Sequence, residues 1–394
     1  MGYQDWVQSY EKSQDQTITD RRHLHQYPEL SFEETKTKQY ILSQLRTMGY
    51  ADIIDIPAGG LVVVIGGKKP GPVIALRADY DALAITEEVD VAFKSVNEGV
   101  MHACGHDGHT ASLLGVARAL VSDQDALNGT LKLIFQHAEE LPPGGAVDIL
   151  KSGVLDDVDF IYGIHLRGDW QYDGSLQVCS GYAMAASDLF EITIQGKGGH
   201  GASPHETYDP TVAGAFLITQ LQTLISRNKD PLKAGVLTTA IFQSKSMTAN
   251  IIADSAFLKG TVRTFDPELR NLMQTRIQTM AESVAQGFGC SATVSYTRGY
   301  PALYNHPEQT ELVAALFEGN VTRTQPRMGG EDFAYYLEKI PGSFFFVKAG
   351  RHEKNYPHHH PKFEVDERSL DVSVLSFLKI IDYYLGKEDQ GYGA

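Results

Sequence analysis

Cysteine is scarce in this chain of 394 residues, which contains three, at positions 104, 179 and 290. Three widely spaced cysteines do not make a disulfide framework, so we expect a reducing, cytoplasmic setting. Long apolar runs are also missing, since none approaches the roughly 18–20 residues needed to cross a bilayer. The first residues lack the basic and apolar regions of a signal peptide. The sequence therefore predicts no membrane partner.

Positive charge is in short supply as well. Lysine and arginine number 34 against 49 for aspartate and glutamate, which gives a formal net charge of −15. Such an acidic balance argues against nucleic acid as a partner. Hydrophobic residues at 42% and charged residues at 21% are typical of a globular protein. The length predicts two or three domains, each able to bury a core.

The richest concentration of reactive side chains lies at residues 101–110, Met-His-Ala-Cys-Gly-His-Asp-Gly-His-Thr. Cys104 and His106 are two residues apart on a glycine-containing turn, directly before an apolar helical pattern, so both can bind one metal. A polar loop with a buried cysteine is the alternative, and it would be preferred if the Cys-x-His pair stood alone. The chain offers further ligands, which favours the metal.

Those further ligands follow predicted strands. The apolar run at 131–135 leads to Glu139 and Glu140 and then to Pro-Pro-Gly-Gly, and the run at 160–166 contains His165. The run at 73–76 leads to Asp79 and Asp81. In an α/β layer, ligands bind at the carboxyl ends of the strands. One of the two neighbouring glutamates can then bind metal while the other acts as a general base.

Three consecutive histidines at 358–360 precede Pro361. At most one or two of them can reach one metal. Together with Cys104, His106, a glutamate and His165, they supply enough ligands for two ions with open positions, as in a hydrolytic site. The thiolate favours zinc or another borderline ion, and manganese, cobalt or nickel remain alternatives.

The element pattern changes near residue 185. In residues 1–185 and 299–394, predicted strands alternate with predicted helices, as in α/β proteins. We predict that these two segments form one catalytic domain with a mixed sheet. Residues 186–298 follow the order β-α-β-β-α-β, which predicts an inserted ferredoxin-like α+β domain. His200, Asn250 and Arg263 lie in this insertion. From their spacing alone, an ordinary turn or a solvated strand face explains them best.

These motifs resemble the M20 metallopeptidase family, specifically its M20D amidohydrolase branch. The matching stretches span nearly the whole chain: Arg-Arg-His-Leu-His at 21–25, Pro-Glu-Leu at 28–30, Leu-Arg-Ala-Asp-Tyr-Asp-Ala-Leu at 76–83, His-Ala-Cys-Gly-His-Asp-Gly-His at 102–109, Glu-Glu at 139–140, Gly-Gly-His at 198–200, Gly-Thr-Val-Arg-Thr at 260–264, Gly-Glu-Asp-Phe at 330–333 and His-His-Pro at 359–361. The Cys-Gly-His-Asp-Gly-His stretch is highly specific to this branch.

The resemblance implies two divalent metals per subunit, bound by Cys104, His106, Glu140, His165 and His359. It implies that Glu139 is the general base and that Asp81 orients a ligand. It also implies that the inserted domain is a lid that often mediates dimers.

In the inserted domain, the resemblance implies that His200 stabilises the oxyanion, either at its own subunit's site or at the neighbouring subunit's site. Asn250 and Arg263 would hold the substrate carboxylate or the oxyanion. Two departures bear on specificity: Ala84 replaces a common proline, and the loop at 243–249 lacks the expected glycine-rich form.

The function implied is an N-acyl-amino-acid amidohydrolase that releases a carboxylic acid and a free amino acid. An N-acetyl-diaminopimelate deacetylase or a dipeptidase is the alternative within enzymes. A metal-binding scaffold without catalysis is disfavoured, because a structural site needs no spare carboxylate beside its ligands. A transport component would be expected to have an export signal.

Overall fold

The chain folds as two compact units in the computed structural model, which describes residues 2–386. Unit 1 comprises the chain up to Gly181, Tyr304–Gln325 and the chain from Asp332 onward; unit 2 comprises Tyr182–Leu303 and Pro326–Glu331. The domain borders given above, after residues 185 and 298, stay a prediction.

The helices of the described residues are α1 (Tyr3–Glu11), α2 (Gln14–Gln26), α3 (Thr35–Thr47), α4 (His106–Leu120), α5 (Gly145–Lys151), α6 (Pro210–Thr223), α7 (Pro267–Gly287), α8 (Pro307–Leu316), α9 (Ala334–Leu337) and α10 (Arg368–Leu385). The strands are β1 (Ile53–Asp55), β2 (Leu61–Gly66), β3 (Lys69–Asp79), β4 (Asn128–Gln136), β5 (Phe160–Gln171), β6 (Leu176–Val178), β7 (Gly181–Met184), β8 (Ala186–Gln195), β9 (Gly199–His200), β10 (Gly235–Ser244), β11 (Ile251–Ile252), β12 (Ser255–Thr264), β13 (Ser291–Arg298), β14 (Leu303–Asn305), β15 (Val321–Arg323) and β16 (Gly342–Gly350).

Unit 1 is built on an eight-stranded sheet of order β1-β2-β4-β3-β5-β16-β6-β15. Its centre is parallel, where β3 pairs with β4 and β5, and β5 pairs with β16. Antiparallel pairs at β1–β2, β2–β4 and β16–β6 make the sheet mixed, as predicted. Apolar runs such as Leu61–Gly66 are buried along almost their whole length, because the central strands are covered on both faces.

Helix α4 ties this sheet to the reactive stretch of the sequence. It packs against α1, α2 and α10 on one side and against β3 on the other. Fourteen of its fifteen residues are buried, which matches a helix inside a large core rather than on a surface. In its first turn, the Thr110 hydroxyl donates to the Asp79 carbonyl at 2.6 Å. The start of α4 is therefore fixed at the carboxyl end of β3.

Unit 2 has a four-stranded antiparallel sheet of order β10-β12-β8-β13. Its main elements follow the order β8-α6-β10-β12-α7-β13, which is the order expected from the sequence. Alternate residues Phe190, Ile192 and Ile194 of β8 are buried with apolar residues of α6 and α7. Both helices therefore cover one face of the sheet, and the residues in between lie on the other face.

The two helices of unit 2 begin at the same sequence signal. Pro210 and Pro267 each follow an aspartate, and that aspartate accepts hydrogen bonds from backbone N–H groups of the first turn. An Asp N-cap followed by proline is a strong helix start. Among residues 2–386, no helix combines the length and the apolar character needed to cross a bilayer.

Candidate active site

Cys104 and His106 lie on the turn that enters α4. Gly105 between them is the N-cap and has a φ of 92°, a left-handed conformation that glycine adopts without steric cost. This turn brings the Cys104 Sγ to 3.4 Å from His165 Nε2. Cys104, His106 and His165 therefore meet in one place, all three buried.

His165 lies within β5 rather than at its end. The apolar run at 160–166 predicted a strand that ends one residue after His165, but β5 continues to Gln171. The extension exists because Arg167 and Gln171 pair with Lys348 and Gly350 of β16. This pairing with a strand nearly two hundred residues away in the sequence leaves no local signal.

The two glutamates follow the end of β4 at Gln136. Ala138 has a φ of 50°, which is uncommon for a residue other than glycine, and the chain turns sharply here. Glu139 Oε2 and Glu140 Oε1 each lie 3.9 Å from His106 Nε2. Both neighbouring carboxylates therefore reach the same imidazole, which a regular strand would prevent.

The three consecutive histidines have three different roles. His359 Nε2 lies 3.1 Å from Glu140 Oε1, so this histidine reaches the glutamates. His358 Nε2 donates to the Leu166 carbonyl at 2.9 Å, and His360 stacks on Tyr356 with ring centroids 4.5 Å apart. Of the three consecutive histidines, His359 is the one that lies against Glu140.

We call Cys104, His106, Glu139, Glu140, His165 and His359 the metal cluster. Overlapping groups of these residues place their ligand atoms within 4.8 Å of one another. His106 Nε2 is buried and has no hydrogen-bond partner in the described structure, although such buried nitrogens are normally bonded. The donor set and the unpartnered nitrogen both fit divalent metal ions.

The tautomers of two histidines fit as well. His106 Nδ1 donates to the Asp81 carbonyl and carboxylate at 3.0 and 3.1 Å, and His165 Nδ1 donates to the Leu166 carbonyl at 2.9 Å. In the neutral form of each ring, Nε2 then keeps a lone pair that can bind a metal. Such outer hydrogen bonds fix the orientation of ligating histidines.

The pKa shifts of His106 and Cys104 indicate a surplus of negative charge in the metal cluster. Burial lowers the pKa of His106, but Asp79 and Asp81 outweigh it and raise the pKa to about 10. Burial, followed by the charges of Glu140 and Glu139, raises the pKa of the Cys104 thiol well above its usual value. A bound cation would neutralise this charge and favour the thiolate.

Asp81 holds two members of the metal cluster at once. Besides its bond to His106, its Oδ2 accepts from the Glu140 N–H at 2.9 Å and from the Ser31 hydroxyl at 2.7 Å. Asp81 is fully buried. It therefore links β3, the turn after β4 and the start of α4.

Asp79 and His109 form a second supporting pair that we did not predict. His109 Nδ1 donates to Asp79 Oδ1 at 2.6 Å, and the Leu166 N–H donates to His109 Nε2 at 2.8 Å. Arg77 in turn donates to Asp79 at 2.6 Å. The pair is fully buried and fixes the peptide next to His165. Its only sequence signal is that both residues lie within matched motifs.

Glu34 is another buried residue that sequence reasoning missed. Its Oε1 accepts from the Ala138 N–H at 2.7 Å, next to Glu139. Burial, followed by the charge of Asp81, raises the pKa of Glu34 to about 8. Glu34 directly precedes α3, a position where a glutamate is common, so its local sequence gives no sign of a buried role.

The other predicted residues lie in unit 2. His200 in β9 pairs with Ile251 of β11, and the Asn250 carbonyl accepts from the Gly201 N–H at 2.8 Å. His200 and Asn250 are therefore close together, and both are exposed. Arg263 lies on a different sheet, in β12, and is partly buried.

A thiol, three imidazoles and two adjacent carboxylates meet at the carboxyl edge of a mixed α/β sheet, where Glu140 is partly buried and His359 is exposed. Such a donor set is typical of a metal-dependent hydrolytic site. Comparison with known proteins agrees. The model of peptidase family M20/M25/M40 matches residues 75–382, and the chain belongs to this family.

Three relatives illustrate the similarity. The chain is 43% identical over 359 residues to N-acetyl-L-cysteine deacetylase of Bacillus subtilis, covering 90% of this chain and 85% of that protein. It is 42% identical over 291 residues to N-acyl-L-amino acid amidohydrolase of Geobacillus stearothermophilus, covering 74% and 78%. The solved structure of the Bacillus subtilis YXEP protein, described as a dinuclear metal-binding peptidase of the M20 family, has a TM-score of 0.82 at 35% identity, covering 95% and 98%.

Proposed function

We propose that this chain hydrolyses the amide bond of N-acyl amino acids and releases a carboxylic acid and a free amino acid. The observation behind this proposal is the metal cluster, in which a second glutamate stands beside a complete set of ligands. The family and the names of two close relatives support the same reaction class.

In this proposal Cys104, His106, Glu140, His165 and His359 bind two divalent ions. Zinc or manganese is expected, with cobalt or nickel as alternatives, because the donors mix sulfur, nitrogen and oxygen. When bound, such ions polarise the scissile carbonyl and make water acidic enough to react near neutral pH.

Glu139 is the proposed general base. Glu140 Oε1 lies 3.1 Å from His359 Nε2, and the Glu140 N–H donates to Asp81, so Glu140 is better suited to hold a metal. Glu139 accepts the proton of the attacking water and passes it to the leaving amine. Asp81 keeps His106 and Glu140 in place throughout.

In unit 2, His200, Asn250 and Arg263 are proposed to contact the substrate. His200 would stabilise the oxyanion, and Asn250 and Arg263 would hold the carboxylate or the oxyanion. We further propose that unit 2 is a lid and that it forms a homodimer. Strand β10 supports this, because it is an edge strand with exposed apolar residues at Val236, Ile241 and Phe242. We expect the enzyme to act in the cytoplasm, since its three cysteines are free.

The test is release of amino acid from N-acetyl, N-benzoyl and longer N-acyl amino acids. The purified protein would be assayed after metal removal and again with zinc or manganese restored. Hydrolysis that needs the metal establishes the reaction. No release from any substrate, by protein shown to contain both metals, would overturn the proposal.

A further inference from the structure

Glu34 is buried directly before α3, but its side chain does not cap that helix. It occupies the N-cap position and makes no capping hydrogen bond. The capping acceptor is Glu29, whose Oε2 accepts from the Thr37 N–H at 2.8 Å and from the Thr37 hydroxyl at 2.9 Å. Glutamate is rarely buried, and Glu34 is 6% exposed. Its burial therefore needs an explanation outside α3.

The contact of Glu34 is with the residue that precedes the proposed general base. Its Oε1 accepts from the Ala138 N–H at 2.7 Å, and the Ala138 carbonyl accepts from the Gly145 N–H at 3.2 Å. Both backbone groups of Ala138 are therefore engaged, in a residue that is itself fully buried. Because Ala138 comes directly before Glu139, the contacts that hold it also fix the point from which the Glu139 side chain extends.

The backbone of Ala138 is strained and depends on such contacts. Residues 2–386 contain three residues other than glycine with a positive φ: Phe32 at 67°, Ala138 at 50° and His359 at 63°. Each lies in a segment that contributes to the metal cluster or contacts one that does. A left-handed backbone outside glycine persists where surrounding contacts enforce it, and such strain concentrates at functional sites. Glu34 supplies one of these contacts at Ala138.

The position of Glu34 is fixed by the segment in front of α3. Leu30 forms a parallel bridge with Ala82, which lies just beyond the end of β3. Phe32 packs edge-on against His137, just beyond the end of β4, with ring centroids 5.7 Å apart. The segment 29–34 therefore contacts the chain after both strands, and this leaves Glu34 little freedom to move.

The second glutamate of the metal cluster is held by a different group. The Glu140 N–H donates to Asp81 Oδ2 at 2.9 Å, and the same carboxylate accepts from the Ser31 hydroxyl at 2.7 Å. Two neighbouring glutamates thus depend on two separate buried carboxyl groups. Glu34 holds the residue before the first glutamate, and Asp81 holds the backbone of the second. Loss of Glu34 should therefore disturb Glu139 more than Glu140.

We propose that Glu34 is a positioning residue for the general base: by accepting the Ala138 N–H, it fixes the peptide from which Glu139 reaches the reacting water. It acts through Ala138 and takes no part in the chemistry itself. This inference rests on the proposed function, in which Glu139 is the base. A displaced base slows the chemical step, so kcat should fall while KM and metal content are retained.

The test measures kcat, KM and metal content of Glu34→Met with the N-acyl amino acid that the wild type hydrolyses fastest. Methionine keeps the length of the side chain but is only a weak acceptor. Its kcat should fall about 10–100-fold, since a misplacement of ~1 Å can cost 10²-fold. KM should stay within about threefold, and elemental analysis should still find two metal ions.

Glu34→Gln is the conservative variant that should recover most of this loss. Burial raises the pKa of Glu34 to about 8, so the carboxyl group is mostly protonated at pH 7, and glutamine copies this neutral form. Its carbonyl oxygen can still accept from the Ala138 N–H. The kcat of Glu34→Gln should therefore lie within about fivefold of the wild-type value.

Two further variants serve as controls. Glu33→Met makes the same replacement at the exposed neighbouring position, and its kcat should equal that of the wild type. Glu34→Asp keeps a carboxyl group that is one methylene too short to reach the Ala138 N–H from the same backbone position. Its kcat should fall as in Glu34→Met, and it decides the question if Glu34→Met does not fold.

A kcat within about twofold of the wild type in both Glu34→Met and Glu34→Asp overturns this inference and leaves the proposed function intact. Equal losses in Glu34→Met and Glu34→Gln do the same, because the hydrogen bond to Ala138 would not be the cause. Loss of metal in parallel with kcat also overturns it, since Glu34 would then support the metals rather than the base. If the metal-loaded wild type hydrolyses no N-acyl amino acid in the panel, the proposed function fails and this inference with it.

Discussion

The two units treat charge in opposite ways. In unit 1, the metal cluster and its supporting residues bury many ionisable groups together, each tied to the next by short hydrogen bonds. In unit 2, the buried ion pair Asp188–Arg270 serves packing. Unit 1 therefore concentrates buried charge around the metal cluster, whereas unit 2 uses buried charge to hold a helix against its sheet.

The arrangement in unit 1 is costly to build. Removing ions from water costs several kcal/mol each unless the partners are well placed. Here Arg77 is bonded to both Asp79 and Asp332 at 2.6–2.7 Å, and Asp79 is bonded to His109. Such a network is expected where ligand orientation matters more than stability. Four predictions test this contrast.

The largest effect is expected at Glu139. Glu139→Gln should lower kcat by about 10²–10⁴-fold, the usual contribution of a general base, because the amide cannot accept a proton. Metal content, measured by elemental analysis, should stay at two ions. Glu140→Gln is the companion variant and should lose metal as well. Undiminished turnover in Glu139→Gln would place the base elsewhere.

The second prediction concerns the buried ion pair of unit 2. Asp188→Ala should lower the free energy of unfolding of unit 2 by about 3–5 kcal/mol, since Arg270, Tyr296 and the Gly299 N–H all lose their acceptor. Urea unfolding would measure it. The exposed pair Lys259–Glu191 is the comparison: Glu191→Gln should cost no more than about 1 kcal/mol. Equal losses at the two sites would contradict the distinction between them.

The third prediction uses the buried carboxyl of Glu34. Its pKa is about 8 in the folded chain, against an ordinary value of 4.5. Between these values the folded state keeps a proton that the unfolded state has lost, so stability falls as pH rises from about 4.5 to 8. Glu34→Gln should remove this dependence, which amounts to about 2–4 kcal/mol.

The measurement is the free energy of unfolding of metal-free protein at several pH values. At each pH, the free energy of unfolding of Glu34→Gln is subtracted from that of the wild type. This subtraction removes the contributions of the other titrating groups. The exposed neighbour Glu33 provides the control, because Glu33→Gln should follow the wild-type curve. Parallel curves for wild type and Glu34→Gln would show that the Glu34 carboxyl is not raised by burial.

Much of the candidate site could be predicted because its residues lie next to local signals. Cys104 and His106 flank a glycine at a helix start, and Glu139 and Glu140 follow an apolar strand and precede a glycine-rich turn. These patterns depend only on nearby residues. The mixed sheet and the six main elements of unit 2 follow from periodicity and turn signals in the same way.

What the sequence did not reveal depends on contacts between distant residues. Glu34 bonds to Ala138, 104 positions away, and His109 bonds to Leu166, 57 positions away. The choice among the three histidines needed the position of Glu140. The cross-strand neighbours of Arg263, Val236 and Ser187, are known only once the register of β8, β10 and β12 is known. None of these pairings leaves a trace in local periodicity.

The smallest effect is expected at His109, which touches no proposed metal but fixes a ligand. The Leu166 N–H donates to His109 Nε2, so that nitrogen is unprotonated and Nδ1 holds the hydrogen that bonds to Asp79. Leu166 follows His165, and its carbonyl accepts from His165 Nδ1. His109 therefore orients the peptide that directs His165 Nε2 into the metal cluster.

His109→Ala should weaken binding of the more loosely held metal about 10–100-fold, the usual effect of removing an outer-shell partner. Competition with a chromophoric chelator measures this, and kcat at saturating metal should return close to the wild-type value. His109→Gln can still donate to Asp79 and accept from Leu166, so it should recover most of the affinity. Equal losses in both variants would mean that the two hydrogen bonds of His109 do not orient His165.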